Sequence, residues 1–229
     1  MTNQEFLTTL DSIIAERHAL QHPFYQMWNE GALTIDMLRE YAKEYYLHVH
    51  NFPTYVSATH ANCDDIKIRQ MLLENLVEEE QGENNHPELW LRFGDSLGIS
   101  REEMLTRNHS AQTKLSVKIL KDLSKNDNPA VGLAALYAYE SQVPEVATTK
   151  IEGLKKHYDL DTKDALEFFQ VHEHADEIHR IVTREALVEL CKTDSQKEIA
   201  LDATREAADA LNLLLDGVYE KYCSSPSLN

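Results

Sequence analysis

The stretch Val171-His172-Glu173-His174-Ala175-Asp176-Glu177-Ile178-His179 constrains this chain more than any other. His172, Asp176 and His179 lie at i, i+4 and i+7. An α-helix turns about 100° per residue, so the three share one face across two turns. The flanks, from Asp161 through Phe168, Phe169, Ile181, Ala186 and Leu190, carry the same helical pattern. Two imidazoles and a carboxylate on one stripe suit a divalent transition metal with coordination positions left open. A helix that is merely rich in histidine and acid has the same appearance, and this stretch alone does not choose.

The rest of the chain is helical in pattern too. Residues 3 to 18 read as a first helix, with Phe6, Leu7, Leu10, Ile13 and Ile14 on one side. A short aromatic segment, His22 to Trp28, stops at Gly31. Thr34 caps a long helix from Ile35 to His60, with Pro53 inside it as a kink. Further helices are expected over 65–80, 87–97, 100–107 and 111–123. Asn128-Pro129 opens the next, from Ala130 to about Lys156 with Pro144 inside it. The histidine-bearing helix spans about 162–191, and a last amphipathic one runs from Gln196 to about Tyr222. Only 7 Gly and 6 Pro occur in 229 residues, too few for an all-β fold, and no strand alternation or linker is visible. The fold class is therefore all-α: one bundle over residues 1–223, with a polar, disordered tail at 224–229.

A net charge of −17, from 39 acidic and 22 basic residues, disfavours nucleic acid and anionic membrane surfaces. No 18-residue apolar run is present, so no membrane span is expected, and the N-terminus lacks the pattern of a signal peptide. Cys63, Cys191 and Cys223 are odd in number and widely spaced, which fits unpaired thiols in a reducing cytoplasm.

Two more stretches carry candidate chemistry. In Glu78-Glu79-Glu80-Gln81-Gly82-Glu83-Asn84-Asn85-His86, the pair Glu83-x-x-His86 has the spacing of ferritin-like dimetal bundles, while Glu79 to His86 repeats the i, i+7 interval of His172 and His179. Gly82 makes a straight helix doubtful, so spacing does not decide, and a solvated acidic face remains open. Glu140 sits in the apolar helix Ala130-Val-Gly-Leu-Ala-Ala-Leu-Tyr-Ala-Tyr. A buried carboxylate needs a metal or a hydrogen-bond partner, such as a tyrosine hydroxyl or an arginine. Three stretches thus offer imidazoles and carboxylates without thiolate, a set suited to iron or manganese. His48 and His50, at i, i+2, face different ways and are set aside, as are His18, His22, His60, His109, His157 and His174.

Phe24-Tyr25, Tyr41-Ala-Lys-Glu-Tyr-Tyr-Leu-His48, Glu79 to His86 with Leu89-Trp90, Leu136-Tyr-Ala-Tyr-Glu-Ser-Gln142 and His172 to His179 together resemble the Chlamydia protein associating with death domains and its relatives. These are haem-oxygenase-like dimetal oxidases, related in fold to pyrroloquinoline-quinone synthesis protein C and thiaminase II. The likeness runs from about residue 5 to 215. It implies a haem-oxygenase-like bundle of about seven main helices. It also implies six metal ligands, Glu79, His86, Glu140, His172, Asp176 and His179, with Glu79 rather than Glu83 in the glutamate position.

The activity this resemblance implies is a 4-aminobenzoate synthase feeding folate biosynthesis. Two metal ions (Fe/Fe or Mn/Fe) would use O2 and a reductant. The protein would supply its own substrate: Tyr25 matches the sacrificed ring and Lys150 the amine donor, with Tyr41 and Tyr139 near the metals. Lys150 follows Glu140 by ten residues, and one kinked helix would put both on nearly the same face. A lysine near two cations would be driven toward its neutral form. The competing readings are a multi-turnover dimetal oxidase of a separate small molecule, and a metal-free enzyme of the quinone-synthesis or thiaminase kind. The death-domain partner of the Chlamydia protein is not carried over, because the tail Ser-Ser-Pro-Ser-Leu-Asn departs from that relative's cysteine-rich end. A homodimer is possible by analogy with other bundles of this fold.

Overall fold

The computed structural model describes residues 1–224, of which 174–179 are described as helix backbone only. The described residues form an all-α bundle without strands, as the periodicity predicts. In chain order the helices are α1 (Asn3–Glu16), α2 (Pro23–Glu30), α3 (Ile35–Ala61), α4 (Ile66–Glu80), α5 (His86–Ser96), α6 (Arg101–Leu105), α7 (Ala111–Ser124), α8 (Pro129–Glu140), α9 (Val143–His157), α10 (Lys163–Leu190) and α11 (Asp194–Val218). A π-helical turn, Tyr219–Cys223, follows α11, and the tail at 225–229 lies outside the described residues.

The ends of these helices follow local chemistry. Thr2, Ser100 and Thr193 head capping boxes whose Glu or Gln three residues on reaches back to the cap. The aromatic segment expected before Gly31 is itself a helix, α2. The His22 ring accepts from Phe24 N–H at its start, and Gly31, at φ 67°, stops it.

One expectation fails. The single helix expected from Ala130 to Lys156 is two, broken at Ser141-Gln142. Pro144 falls in the first turn of α9, where its missing N–H costs nothing, so it starts a helix instead of kinking one. Pro53 does lie inside α3.

Helix α11 packs along α7 and α8, α10 along α5 and α9, and α3 along α4, α5 and α7. Two hydrophobic clusters fill the bundle. One is mainly aliphatic and gathers Phe6, Leu10, Ile13, Leu72, Leu120, Leu133, Leu136, Leu187 and Ala207. The other is mainly aromatic and gathers Phe24, Tyr25, Trp28, Tyr41, Tyr45, Trp90, Phe93, Phe168 and Phe169. Tyr139 packs against both.

Candidate metal and tyrosine site

Three of the six expected ligands converge among the described side chains. Glu79 occupies the last turn of α4, Gly82 turns the chain at φ 81°, and Asn85 caps α5 so that His86 opens it. This turn brings Glu79 Oε2 to 2.8 Å from His86 Nδ1. Glu83, the other candidate at this spacing, is exposed. From the middle of α10, His172 puts its ring centroid 4.4 Å from that of His86. Ligand atoms of Glu79, His86 and His172 all lie within 4.8 Å of one another.

The His172 Nδ1–H donates to the Phe168 carbonyl at 2.5 Å, which leaves the Nε2 lone pair for a metal. Burial holds the ring neutral, with its pKa lowered to about 3. Two imidazoles and a carboxylate over this span fit a divalent ion with open positions.

Glu140 ends α8 at 5% exposure. Its Oε1 accepts from Asn75 Nδ2 at 2.5 Å, so its partner is an amide rather than the tyrosine or arginine that sequence suggests. Burial above all, then the nearby Glu79 and Glu78, pushes its carboxyl up to about 8. A bound cation would reverse that shift, so Glu140 also fits a ligand role. Asp176 and His179 lie outside the described side chains.

Beside these residues is the tyrosine chamber. Lys150, on α9, is 3% exposed, and its Nζ faces five rings. Their centroids lie at 4.9 Å for Tyr45, 5.2 Å for Phe169, 5.3 Å for Tyr41 and 5.6 Å for both Tyr25 and Trp90. Burial, rather than a nearby positive charge, lowers its pKa to about 7. Lys150 therefore enters the site from its own helix, α9, and not from a continuation of the Glu140 helix.

The Tyr25 and Tyr41 hydroxyls stand 3.4 Å apart, and burial raises both well above the ordinary phenol range. The Tyr45 hydroxyl donates to that of Tyr139 at 3.3 Å. A cavity adjoins Tyr25, Tyr45, Tyr139, Lys150, Phe168 and His172. A smaller pocket next to it is lined by Glu79 and His86 and shares Tyr139, Phe168 and His172 with the first. Those three side chains lie between the two pockets, and His172 belongs to the ligand cluster as well.

Three residues of the site were missed or set aside by sequence reasoning. Asn75 gave no signal, since only its proximity to Glu140 matters. Tyr45 and His48 did give one: Tyr41, Tyr45 and His48 stand at i, i+4 and i+7, the same spacing as the histidine stripe. The comparison of His48 with His50 hid it. His48 is fully buried, its ring 4.7 Å from that of Tyr139 and 5.3 Å from that of Tyr45.

The 4-aminobenzoate synthase of Nitrosomonas europaea is 42% identical, covering 98% of this chain and 95% of that protein. The 4-aminobenzoate synthase of Chlamydia muridarum is 41% identical over 95% of this chain and 92% of its own length. A solved domain from Shewanella denitrificans, described as having a heme oxygenase-like fold, superposes with a TM-score of 0.76 at 23% identity, covering 96% of this chain and 90% of that one. The family described as TENA/THI-4/PQQC matches residues 7–220, nearly the whole length, and the chain belongs to that family.

Proposed function

We propose that this protein is an O2-dependent dimetal 4-aminobenzoate synthase that takes the ring from its own Tyr25 and the nitrogen from Lys150. The observation that carries the proposal is a buried amine of low proton affinity facing the Tyr25 ring, one side-chain layer from the Glu79–His86–His172 cluster. The two relatives named for this product, at 41–42% identity, support it.

Glu79, His86, Glu140 and His172, with Asp176 and His179, would hold the metals. A bound iron pair, or iron with manganese, would supply activation of O2 with electrons from a reductant. The chain's own residues do the rest. Lys150, with a pKa of about 7, keeps much of its population as free amine at neutral pH, so its lone pair can attack an electron-poor ring. The Tyr41 hydroxyl orients that of Tyr25. Phe169, Trp90 and Phe168 keep water from the reacting groups. The reading keeps the enzyme in the cytoplasm, away from nucleic acid, with a homodimer as the assembly to test.

The cavity beside Tyr25 favours one other reading, a multi-turnover oxidase of a separate small molecule. A thiaminase-like reaction is less favoured, because it needs a cysteine at the cavity. Cys63, Cys191 and Cys223 are buried, none lines the cavity among the described residues, and burial raises each thiol's pKa.

The test is to load the reduced protein with iron and manganese, admit O2, and measure 4-aminobenzoate. Mass spectrometry should find the Tyr25 peptide altered in proportion to product. Product from Tyr25→Phe at the parental level would refute the self-consuming step. Many turnovers with Tyr25 intact would establish the separate-substrate reading.

A further inference from the structure

Lys150 poses an electrostatic problem that its surroundings leave unsolved. Its nitrogen is buried, and no hydrogen bond or ion pair to it occurs among the described residues. Ring faces attract a cation but do not neutralise it. The titratable groups around it are Tyr25 on α2, Tyr41, Tyr45 and His48 on α3, Tyr139 on α8 and His172 on α10. Burial keeps the phenols of Tyr25, Tyr41 and Tyr45 uncharged, and a histidine carries no negative charge, so none of these provides a counter-charge at neutral pH.

Lys150 also lines the pocket beside Tyr25, whose other walls include Val143, Val146, Ala147, Phe169 and Leu215. Gln142, a polar lining residue, is already engaged: its Oε1 accepts from Ala19 N–H and its Nε2 donates to the Ala138 carbonyl. What remains, among the described residues, is a buried amine with no anion beside it, on the wall of a largely apolar pocket.

From these features we infer that the chamber reversibly binds free monocyclic aromatic carboxylates, with the carboxylate on Lys150 Nζ and the ring against Val146, Ala147 and Phe169. A carboxylate supplies the missing charge, and the ring replaces solvent along the walls. For its biological meaning the inference rests on the function proposed above. Released 4-aminobenzoate belongs to this ligand class. Bound to a fresh chain, it would hold Lys150 as ammonium and withdraw the nucleophile, so product would restrain its own formation.

The test uses the full-length protein under nitrogen, as purified and again after chelation, so that no turnover occurs. Benzoate and 4-aminobenzoate are titrated against benzamide, which has the ring without the charge, and acetate, which has the charge without the ring. Binding is followed by tryptophan fluorescence and calorimetry. Both aromatic acids are expected to bind roughly tenfold or more tighter than either control, the scale of one charge-assisted hydrogen bond. Lys150→Met should erase that advantage and leave benzamide unchanged. Val146→Trp should weaken benzoate with the lysine intact. Circular dichroism and a cooperative melt verify that both variants fold. Benzoate affinity untouched by Lys150→Met, or no greater than that of acetate, would overturn the inference. So would binding that disappears on chelation, which would assign the carboxylate to the metal ligands. Benzoate binding by a chain that makes no 4-aminobenzoate would count against the synthase reading and leave this one standing; product without benzoate binding would do the opposite.

Discussion

The two cores of this bundle are built from different materials. The cluster around α1, α7, α8 and α11 is packed from Leu, Ile and Ala, including Leu10, Leu120, Leu133, Leu136 and Ala207. The cluster around α2, α3, α5 and α10 is dominated by aromatic rings, with Lys150 and His48 buried beside them. Aliphatic packing stabilises without tolerating charge. Aromatic packing excludes water nearly as well, yet its ring faces accept a cation and its hydroxyls find one another. Stability and chemistry are thus drawn from separate halves, and Tyr139 is where the halves touch.

The strongest test of that division is Lys150→Met. Product formation should stop while the protein becomes more stable, by on the order of 3–5 kcal/mol below pH 7. The sign follows from linkage. The unfolded amine keeps a pKa near 10.5, and the folded one is at about 7. Between those values the unfolded chain binds the extra proton, so parental stability rises with pH across that window. The Met variant should lack the slope, and its advantage should vanish near pH 10.5. Denaturant melts at several pH values check this.

Leu133→Ala should do the reverse, costing about 2–5 kcal/mol while leaving product per folded molecule unchanged. A fall in yield beyond the loss of folded protein would mean the two halves are coupled. Gly153→Ala probes the seam between α9 and α2. An added Cβ there would run into the Trp28 indole nitrogen, one turn from Tyr25. The expected cost is about 1–3 kcal/mol, with lower product yield because α2 carries Tyr25, the ring proposed to react.

The smallest effect on product belongs to Glu44, fully buried on α3. Burial raises its pKa, but the nearby His109, the Ser110 N–H, Thr113 and the Arg107 guanidinium outweigh that and hold it at about 2. Its contribution is present above pH 4.5 and is lost as pH falls toward 2. Glu44→Gln should cost about 1–3 kcal/mol at neutral pH and flatten acid unfolding, with product unaffected.

The helices were legible from sequence because periodicity and caps are local signals. Thr34, Asp65, Asn128 and Thr162 each mark a start that the structure contains. The α8–α9 break was not, because a proline near a helix start and one in its interior look alike without knowing where hydrogen bonding stops. In the candidate site, spacing could not separate Glu79 from Glu83, since the outcome depends on the left-handed turn at Gly82. Lys150 was opaque for another reason. Its sequence neighbours are ordinary helix formers, and the rings that face its amine come from α2, α3, α5 and α10.

Under the proposed reaction, the position of Tyr25 bears on the fate of a used chain. The ring is 2% exposed and lies against Phe24 and Trp28, with its hydroxyl toward that of Tyr41. Excising it would empty a space the size of a phenol from the densest part of the aromatic half, a loss on the scale of a large-to-small aromatic truncation, about 3–5 kcal/mol. A used chain would then melt earlier than a fresh one and open more readily to proteases. Spent copies would mark themselves for recycling, with no separate signal needed to tell them from the rest.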